Sequence, residues 1–302
     1  MTPTAHAEQP DRGTPAAPGR RFPVGSALIT PLRRFLLGRR TSAFERMTIH
    51  EFQFADARVR VYELWTMRPE EAERADLTSF ALIHGLGVSS RFFVPLAHEL
   101  APYGRVLLFD LPGFHDLPKP EHRLAIVDFA DVVKRALDEL QVIDPLLVGH
   151  SMGAQVITEI LAEYPGYSSA AMLIGPVVMA QERSLRAVVR RFIGSALHEP
   201  LGNSLAAIGS YLRAGFRWIS DTAPRVIAYP IEQRLLLSKT RPIVLVGGEF
   251  DRVSPQAWRE KLAAEVSGAI VVTIPGAAHG VVYDRQKELA DELTALAGIG
   301  RA

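Results

Sequence analysis

Three short stretches of this chain carry a serine, an aspartate and a histidine in settings where the three side chains could do chemistry together. Ser151 is the middle residue of Gly149-His150-Ser151-Met152-Gly153, which follows an apolar run at 145–148 and precedes residues with helical apolar spacing at 154–162. This pattern predicts a tight turn from a strand into a helix, where only glycine fits on either side and the serine hydroxyl is pushed outwards. The hydroxyl would also lie at the positive end of the helix, so Ser151 is a candidate nucleophile.

A serine hydroxyl is a weak nucleophile until a base removes its proton and a third group orients that base. Asp251 lies in the turn 247–251, directly after an apolar run at 243–246 that is typical of a buried parallel strand. Glu249 in the same turn is the alternative acid. His279 follows the last predicted strand at 269–274 and is the candidate base. We therefore expect Ser151, Asp251 and His279 to converge.

Two further motifs complete a resemblance to the α/β-hydrolase fold superfamily, in particular to its capped serine hydrolases of the esterase type. His84-Gly85-Leu86-Gly87 is similar to the oxyanion loop of the family, and Asp110-Leu111-Pro112-Gly113 is similar to its D-x-P-G turn. The resemblance spans residues 49 to 297. The chain order of serine, acid and histidine is also the order of this family.

The resemblance assigns roles to particular residues. It implies that the backbone amides of Leu86 and Met152 form the oxyanion hole and that His84 braces the oxyanion loop. It also implies that Asp251, at the last position of a G-x-x-D match, is the acid rather than Glu249.

The elements around these motifs predict an α/β fold. Residues 48–54 and 58–65 alternate with period two and predict an opening antiparallel pair. Strands then alternate with helices from residue 79 to residue 174, which indicates a parallel sheet with its ligand site at the carboxyl ends of the strands. With the resemblance, we expect a mostly parallel eight-stranded sheet with helices on both faces.

The alternation stops after Gly175-Pro176, and the apolar spacing predicts helices at 181–197, 203–219 and 223–237. The resemblance implies that these helices are a cap inserted after the sixth strand, so we expect a cap at 177–240 and a core at 47–176 and 241–302. The cap arginines are either solvated, or one or two of them reach the pocket and favour an anionic substrate. We expect the cap aromatic side chains to pack within it rather than to bind a cofactor: Phe192, Tyr211, Phe216 and Trp218.

Residues 1–46 predict a disordered and basic N-terminal arm. Residues 1–21 are rich in Pro, Ala, Gly and Thr, whereas residues 21–40 mix apolar side chains with arginines. The arm could be a packing extension, or it could lie on a membrane surface or shield the cap. Prolines interrupt its apolar part, so we expect neither export nor a membrane span but a cytoplasmic protein.

Composition excludes several classes of function. The 302 residues include no cysteine, so disulfides, thiolate metal sites and cysteine nucleophiles are excluded. No metal-ligand spacing, phosphate-binding loop or dinucleotide fingerprint is present in the sequence, so we expect no metal and no cofactor. The net charge of +1 argues against nucleic acid and leaves a small-molecule substrate as the expected partner.

That net charge is the sum of three unequal parts. Residues 1–46 carry 8 basic and 3 acidic side chains, a net charge of +5. Residues 177–240 carry 9 basic and 4 acidic side chains, also +5, whereas the remainder carries 17 and 26, a net charge of −9. The arm and the predicted cap are therefore the two basic parts of the chain.

The predicted activity is hydrolysis of a carboxylic ester, with a small or medium apolar acyl part, through an acyl-enzyme. A serine at the turn argues against the haloalkane and epoxide chemistry that needs a carboxylate nucleophile in this fold. Carbon–carbon cleavage of β-diketones, thioester hydrolysis and lactone hydrolysis remain alternatives within the enzymes. Outside them, a non-catalytic ligand-binding receptor of the same fold is the alternative.

Overall fold

The computed structural model describes residues 47–66, 78–200, 209–238 and 242–299. The basic arm predicted at 1–46 lies outside these residues. The described chain is built around an eight-stranded sheet with the order β1-β2-β4-β3-β5-β6-β7-β8. Its strands are β1 Thr48–Phe54, β2 Ala57–Leu64, β3 Thr78–Ile83, β4 Gly104–Asp110, β5 Leu146–His150, β6 Ala171–Ile174, β7 Ile243–Gly248 and β8 Ala269–Ile274.

The sheet is mostly parallel, which confirms the predicted fold class. β1 pairs with β2 and β2 with β4 in antiparallel register, and the five pairs from β4 through β3, β5, β6 and β7 to β8 are parallel. Because the six parallel strands end at one edge, the loops that follow β3, β5, β7 and β8 meet there.

Helices cover both faces of the sheet. They are α1 Val94–Leu100, α2 Ile126–Glu139, α3 Met152–Glu163, α4 Leu185–Ala196, α5 Phe216–Ala228, α6 Ile231–Leu235, α7 Gln256–Ala264, α8 Val281–Asp284 and α9 Gln286–Leu296. Short 3₁₀ turns at Ser90–Phe93 and Ala180–Glu182 precede α1 and α4.

The core lies in two layers, one on each face. Along β3, Ala81 and Ile83 pack into the layer that includes α2 and α3, whereas Phe80 and Leu82 pack into the layer that includes α1 and α9. Burying each of the larger side chains, Phe80, Leu82 and Ile83, stabilises the fold by about 1.5–3 kcal/mol before the ordering entropy is subtracted. A strand with both faces buried reads as a continuous apolar run, which is why the periodicity identified it.

Residues 175–242 separate β6 from β7 and are mainly helical where they are described; we call this segment the helical insertion. The sequence predicted one helix at 203–219 and a second at 223–237. The predicted start at 203 lies outside the described residues, and the predicted break at 220–222 is wrong. Within the described part, residues 209–214 are helical, Gly215 has φ +80° and breaks the helix, and α5 continues through Pro224. Asp221, inside α5, lies 3.5 Å from Arg123 of the core.

No helix within the described residues is both long and apolar enough to cross a membrane.

Candidate active site

Ser151 lies at the tip of the turn between β5 and α3. Its backbone has φ 56° and ψ −116°, a conformation that few non-glycine residues adopt. The flanking glycines explain how the turn closes, since a Cβ on Gly149 would lie 2.3 Å from the carbonyl oxygen of Gly153. A Cβ on Gly153 would lie 2.1 Å from the carbonyl oxygen of Ile83. The turn thus holds the serine hydroxyl above the carboxyl edge of the sheet.

The structure brings Ser151, His279 and Asp251 together. His279 Nδ1 lies 2.9 Å from Asp251 Oδ2, and because a carboxylate only accepts, Nδ1–H is the donor. The other ring nitrogen is then free to accept, and His279 Nε2 lies 3.1 Å from Ser151 Oγ. The loops after β7 and β8 therefore deliver an acid and a base to the serine at hydrogen-bond distance.

Electrostatics favour an ionised Asp251 beside a readily protonated His279. Burial opposes the charge on His279, but the Asp251 carboxylate and its hydrogen bond outweigh burial and raise the pKa of His279. Burial likewise opposes the charge on Asp251, yet His279 and nearby donors lower the pKa of Asp251 below its usual range. Arg259, fully buried on α7, is a further cation near this carboxylate.

The two carboxylates of the 247–251 turn have different partners. Asp251 Oδ1 accepts hydrogen bonds of 2.9 Å from the amides of Val253 and Ser254, which leaves Oδ2 for His279. Glu249 Oε2 instead accepts from the amide of Gly276, also at 2.9 Å. Glu249 therefore holds the backbone of the loop that carries His279, and this hydrogen bond is to Gly276 rather than to the imidazole.

His150 has a role that the sequence does not indicate, since it occupies the variable position between Gly149 and Ser151 in the turn motif. Its Nε2 lies 2.9 Å from the backbone carbonyl of His279, and its ring lies 4.9 Å from the His279 ring between centroids. Burial, followed by the nearby His279, lowers the pKa of His150 to about 3, so it stays neutral and donates to that carbonyl. No sequence signal identifies this contact because the two residues are 129 positions apart.

The helical insertion also contacts the histidine. The buried Ser195 Oγ accepts a 3.2 Å hydrogen bond from the His279 amide, and Glu199 Oε1 accepts a 2.5 Å bond from the Gly280 amide. The Phe192 ring meets the His279 ring edge-on at 5.2 Å. Phe192 and Ser195 lie three positions apart on α4, and Glu199 follows the end of that helix. This spacing does not reveal what the three side chains contact.

The predicted oxyanion loop lies beside the serine. His84 Nε2 accepts a 3.1 Å hydrogen bond from the Leu111 amide, while Nδ1–H donates to the Gly85 carbonyl at 2.8 Å. His84 thus ties the loop after β3 to the D-x-P-G turn. Leu86 lines the cavity above Ser151, and Met152 is the first residue of α3, where helix amides lack partners within the helix.

A cavity of about 490 Å³ opens above Ser151 and His279. Most of its lining is aliphatic or aromatic, and much of it comes from the helical insertion, including Val188, Phe192, Tyr211, Ile219 and Val226. One arginine of the helical insertion reaches the pocket, but an acidic side chain neutralises its charge. Arg191 reaches the wall, but its Nη2 lies 2.7 Å from Glu182 Oε1, also in the wall.

One group of possible metal ligands occurs within the described residues, although the sequence indicated none. Donor atoms of Asp110, His115 and Asp116 lie within 4.8 Å of one another. The guanidinium of Arg60 lies 2.6 Å from Asp116 Oδ1, and His115 Nδ1 is also 2.6 Å from that oxygen. Arg60 therefore already supplies a positive charge to the Asp116 carboxylate.

Comparison with known proteins places the chain in a family. Residues 80–292 match the model of the alpha/beta hydrolase family. A 2-(acetamidomethylene)succinate hydrolase of Mesorhizobium japonicum is 25% identical over 239 residues, which cover 70% of this chain and 83% of that protein. A pimeloyl-[acyl-carrier protein] methyl ester esterase of Xanthomonas campestris is 25% identical over 251 residues, covering 71% and 93%.

Among solved structures, an esterase of Thermogutta terrifontis aligns with a TM-score of 0.69 at 17% identity and covers 84% of this chain and 99% of its own. The family match spans well over half of the 302 residues. This chain therefore belongs to the alpha/beta hydrolase family of enzymes.

Proposed function

We propose that the protein is a serine hydrolase that cleaves a carboxylic ester with a small or medium apolar acyl part. The observation that carries the proposal is the continuous hydrogen-bonded row Asp251, His279 and Ser151, which opens into an apolar cavity. A nucleophile, a base and an orienting acid at these distances are what acyl transfer requires.

The proposed reaction has two halves. His279 Nε2 takes the Ser151 proton while Oγ attacks the ester carbonyl carbon, and the resulting tetrahedral intermediate collapses as His279 returns the proton to the leaving alcohol. Water then enters, His279 removes its proton, and attack on the acyl-enzyme releases the carboxylic acid and restores Ser151. Asp251 keeps the imidazole in the tautomer that accepts at Nε2 throughout.

The amides of Leu86 and Met152 are the proposed donors to the oxyanion. Each such donor is worth about a hundredfold or more in rate, because it is aimed at charge that appears only in the transition state. In this proposal, the loop after β3 and the start of α3 supply the two amides.

The helical insertion, residues 177–240 by the proposed domain division, is the proposed cap that selects the substrate. Its apolar side chains form much of the cavity wall, and the arginine at the wall is paired with Glu182. A neutral, apolar acyl group therefore matches this wall better than an anionic one.

The two relatives are a hydrolase and a methyl ester esterase, which supports a hydrolytic role. Thioesters, lactones and β-diketones present the same kind of carbonyl carbon, so the same residues would serve them. Assays with a substrate of each class separate these possibilities.

A p-nitrophenyl ester series from acetate to palmitate tests the proposal, beside thioester, lactone and β-diketone substrates. We expect kcat/KM to be greatest for butyrate to octanoate, with up to about fourfold gained per buried methylene. Ser151→Ala should abolish turnover, and Ser220→Ala, at an exposed position on α5, should not. Binding of esters without any turnover would instead indicate a receptor, and turnover confined to another panel member would replace the ester proposal.

A further inference from the structure

The mouth of the cavity is lined by apolar side chains that face water. Leu185, Val189 and Ile193 line the cavity, yet they are 61%, 46% and 60% exposed. They recur every four residues along α4 and so share one helix face. Exposed apolar side chains at the entrance of a cavity, rather than scattered over a surface, indicate an interaction site.

Further exposed apolar side chains lie in the segments of the helical insertion near α4, since α4 and α5 contact each other. Leu197 follows in the same four-residue series, and Leu212 and Phe216 neighbour the cavity-lining Tyr211 and Ile219. Phe216 was expected to pack within the cap, and that prediction is wrong because the ring is 86% exposed. We call the following set the apolar rim: Leu185, Val189, Ile193, Leu197, Leu212 and Phe216.

Arginines accompany the apolar rim. Four of the six rim residues are followed directly by an exposed arginine: Arg186, Arg190, Arg213 and Arg217. Of these, Arg190 lies 3.6 Å from Glu182. Residues 177–240 carry 9 basic and 4 acidic side chains in all, so the rim lies in a segment of net charge +5.

Charge and apolarity together identify the occupant of this surface. A second copy of the chain that packs rim to rim would set a charge of +5 against +5, and so would the arm of residues 1–46. Nucleic acid would neutralise the arginines but leave the six apolar side chains without a partner. An anionic lipid surface satisfies both, because phosphate headgroups meet the arginines while aliphatic and aromatic side chains enter the acyl boundary.

We propose that the apolar rim and its arginines dock the protein peripherally on an anionic lipid surface, with the cavity mouth facing the lipid. An apolar chain could then pass from the lipid into the cavity without crossing water. This docking does not depend on hydrolysis, so it can be tested with an inactive protein.

The test is vesicle flotation of the full chain carrying Ser151→Ala, which removes the proposed nucleophile and keeps the lipids intact. The vesicles are phosphatidylcholine alone, or phosphatidylcholine mixed with phosphatidylglycerol. We expect binding to the mixed vesicles that weakens with added salt, and much weaker binding to phosphatidylcholine alone. Failure to bind the mixed vesicles would overturn the docking proposal and leave the proposed catalysis untouched.

Two variants locate the contact. Leu185→Ser with Phe216→Ser should weaken binding about tenfold or more, and Arg186→Glu with Arg217→Glu should weaken it about fivefold or more per arginine. Both pairs should keep the circular dichroism spectrum and melting temperature, because their side chains are exposed. The variant with Arg186→Glu and Arg217→Glu replaces no cavity-lining residue. It therefore tests the proposal even if the variant with the two serine substitutions does not fold.

Matched control variants change exposed residues outside the helical insertion. Ile143→Ser changes an 89% exposed side chain that precedes β5, at the opposite edge of the sheet, and Lys261→Glu with Lys287→Glu reverses two exposed charges on α7 and α9. The controls should bind like the parent protein. Equal binding by rim and control variants would assign docking to another part of the chain. If the protein does not bind vesicles but forms a dimer that only the rim variants dissociate, the rim is an interface between copies. Either result overturns the proposal.

Discussion

Asp251 and Glu249 lie two residues apart, and only Asp251 shares a hydrogen bond with His279. We predict that Asp251→Asn lowers kcat by about 10⁴-fold, because an amide can donate to Nδ1 and so favours the wrong tautomer of the imidazole. Glu249→Gln is the matched control and should change kcat little. Steady-state kinetics with a p-nitrophenyl ester measure both, and the opposite ranking would make Glu249 the acid.

The pH profile tests the charges around His279. Burial lowers the pKa of His279, as does Arg259 on α7. The carboxylates Asp251 and Glu199, which follow β7 and α4, outweigh both and raise this pKa. Only neutral His279 can act as a base, so activity should be lost as the pH falls through this raised pKa. The acid limb of kcat/KM should therefore have its midpoint above 6.5, the ordinary histidine value.

Glu199→Gln removes one of these charges and should move that midpoint to lower pH. Glu288→Gln, on the exposed part of α9, is the matched control and should leave the midpoint in place. An acid limb well below 6.5 in the unmodified protein would contradict the account of the charges at His279.

At the scale of elements, α4 is attached to the histidine loop. Ser195→Ala removes the acceptor of the His279 amide, and one such hydrogen bond contributes about 1 kcal/mol. We predict that kcat falls about fivefold with KM nearly unchanged, since the imidazole loses a restraint while most of the cavity wall is preserved. Stopped-flow or steady-state assays measure this, with Ser220→Ala as the control. An unchanged kcat would mean that the contact does not position His279.

The turn between β5 and α3 depends on the close approach of backbones. We predict that Gly153→Ala destabilises the protein by about 1–3 kcal/mol or more, because its Cβ would lie 2.1 Å from the Ile83 carbonyl oxygen. Gly209→Ala is the control, since no atom lies within 4 Å of its added Cβ. Chemical denaturation compares the two. A Gly153→Ala protein as stable as the control would contradict the packing at this turn.

The elements were largely predictable where one local rule governed them. Buried parallel strands such as β3 are continuous apolar runs, and the turn at Ser151 has glycines that its geometry requires. The bounds within the helical insertion were not predictable, because residues 216–228 keep helical spacing across polar residues and a proline that also resemble a helix start. In the structure, α5 runs through these residues from Phe216 to Ala228.

At the scale of the whole molecule, contacts between distant segments were the part that sequence could not supply. The loop order predicted that Ser151, Asp251 and His279 share one edge of the sheet, because parallel strands end together. It could not predict that His150, Ser195 and Glu199 bind the backbone around His279, since no local pattern encodes contacts that span 80 or more residues. The exposure of Phe216 likewise depends on how α5 packs.

Every step of the proposed reaction depends on Ser151 being the activated nucleophile. Intact-mass spectrometry after treatment with a fluorophosphonate tests this directly on the full chain and on its Ser151→Ala variant. We predict one adduct, located at Ser151 by peptide mapping, and no adduct on the variant. An unlabelled protein, or an equal adduct on both, would contradict the account.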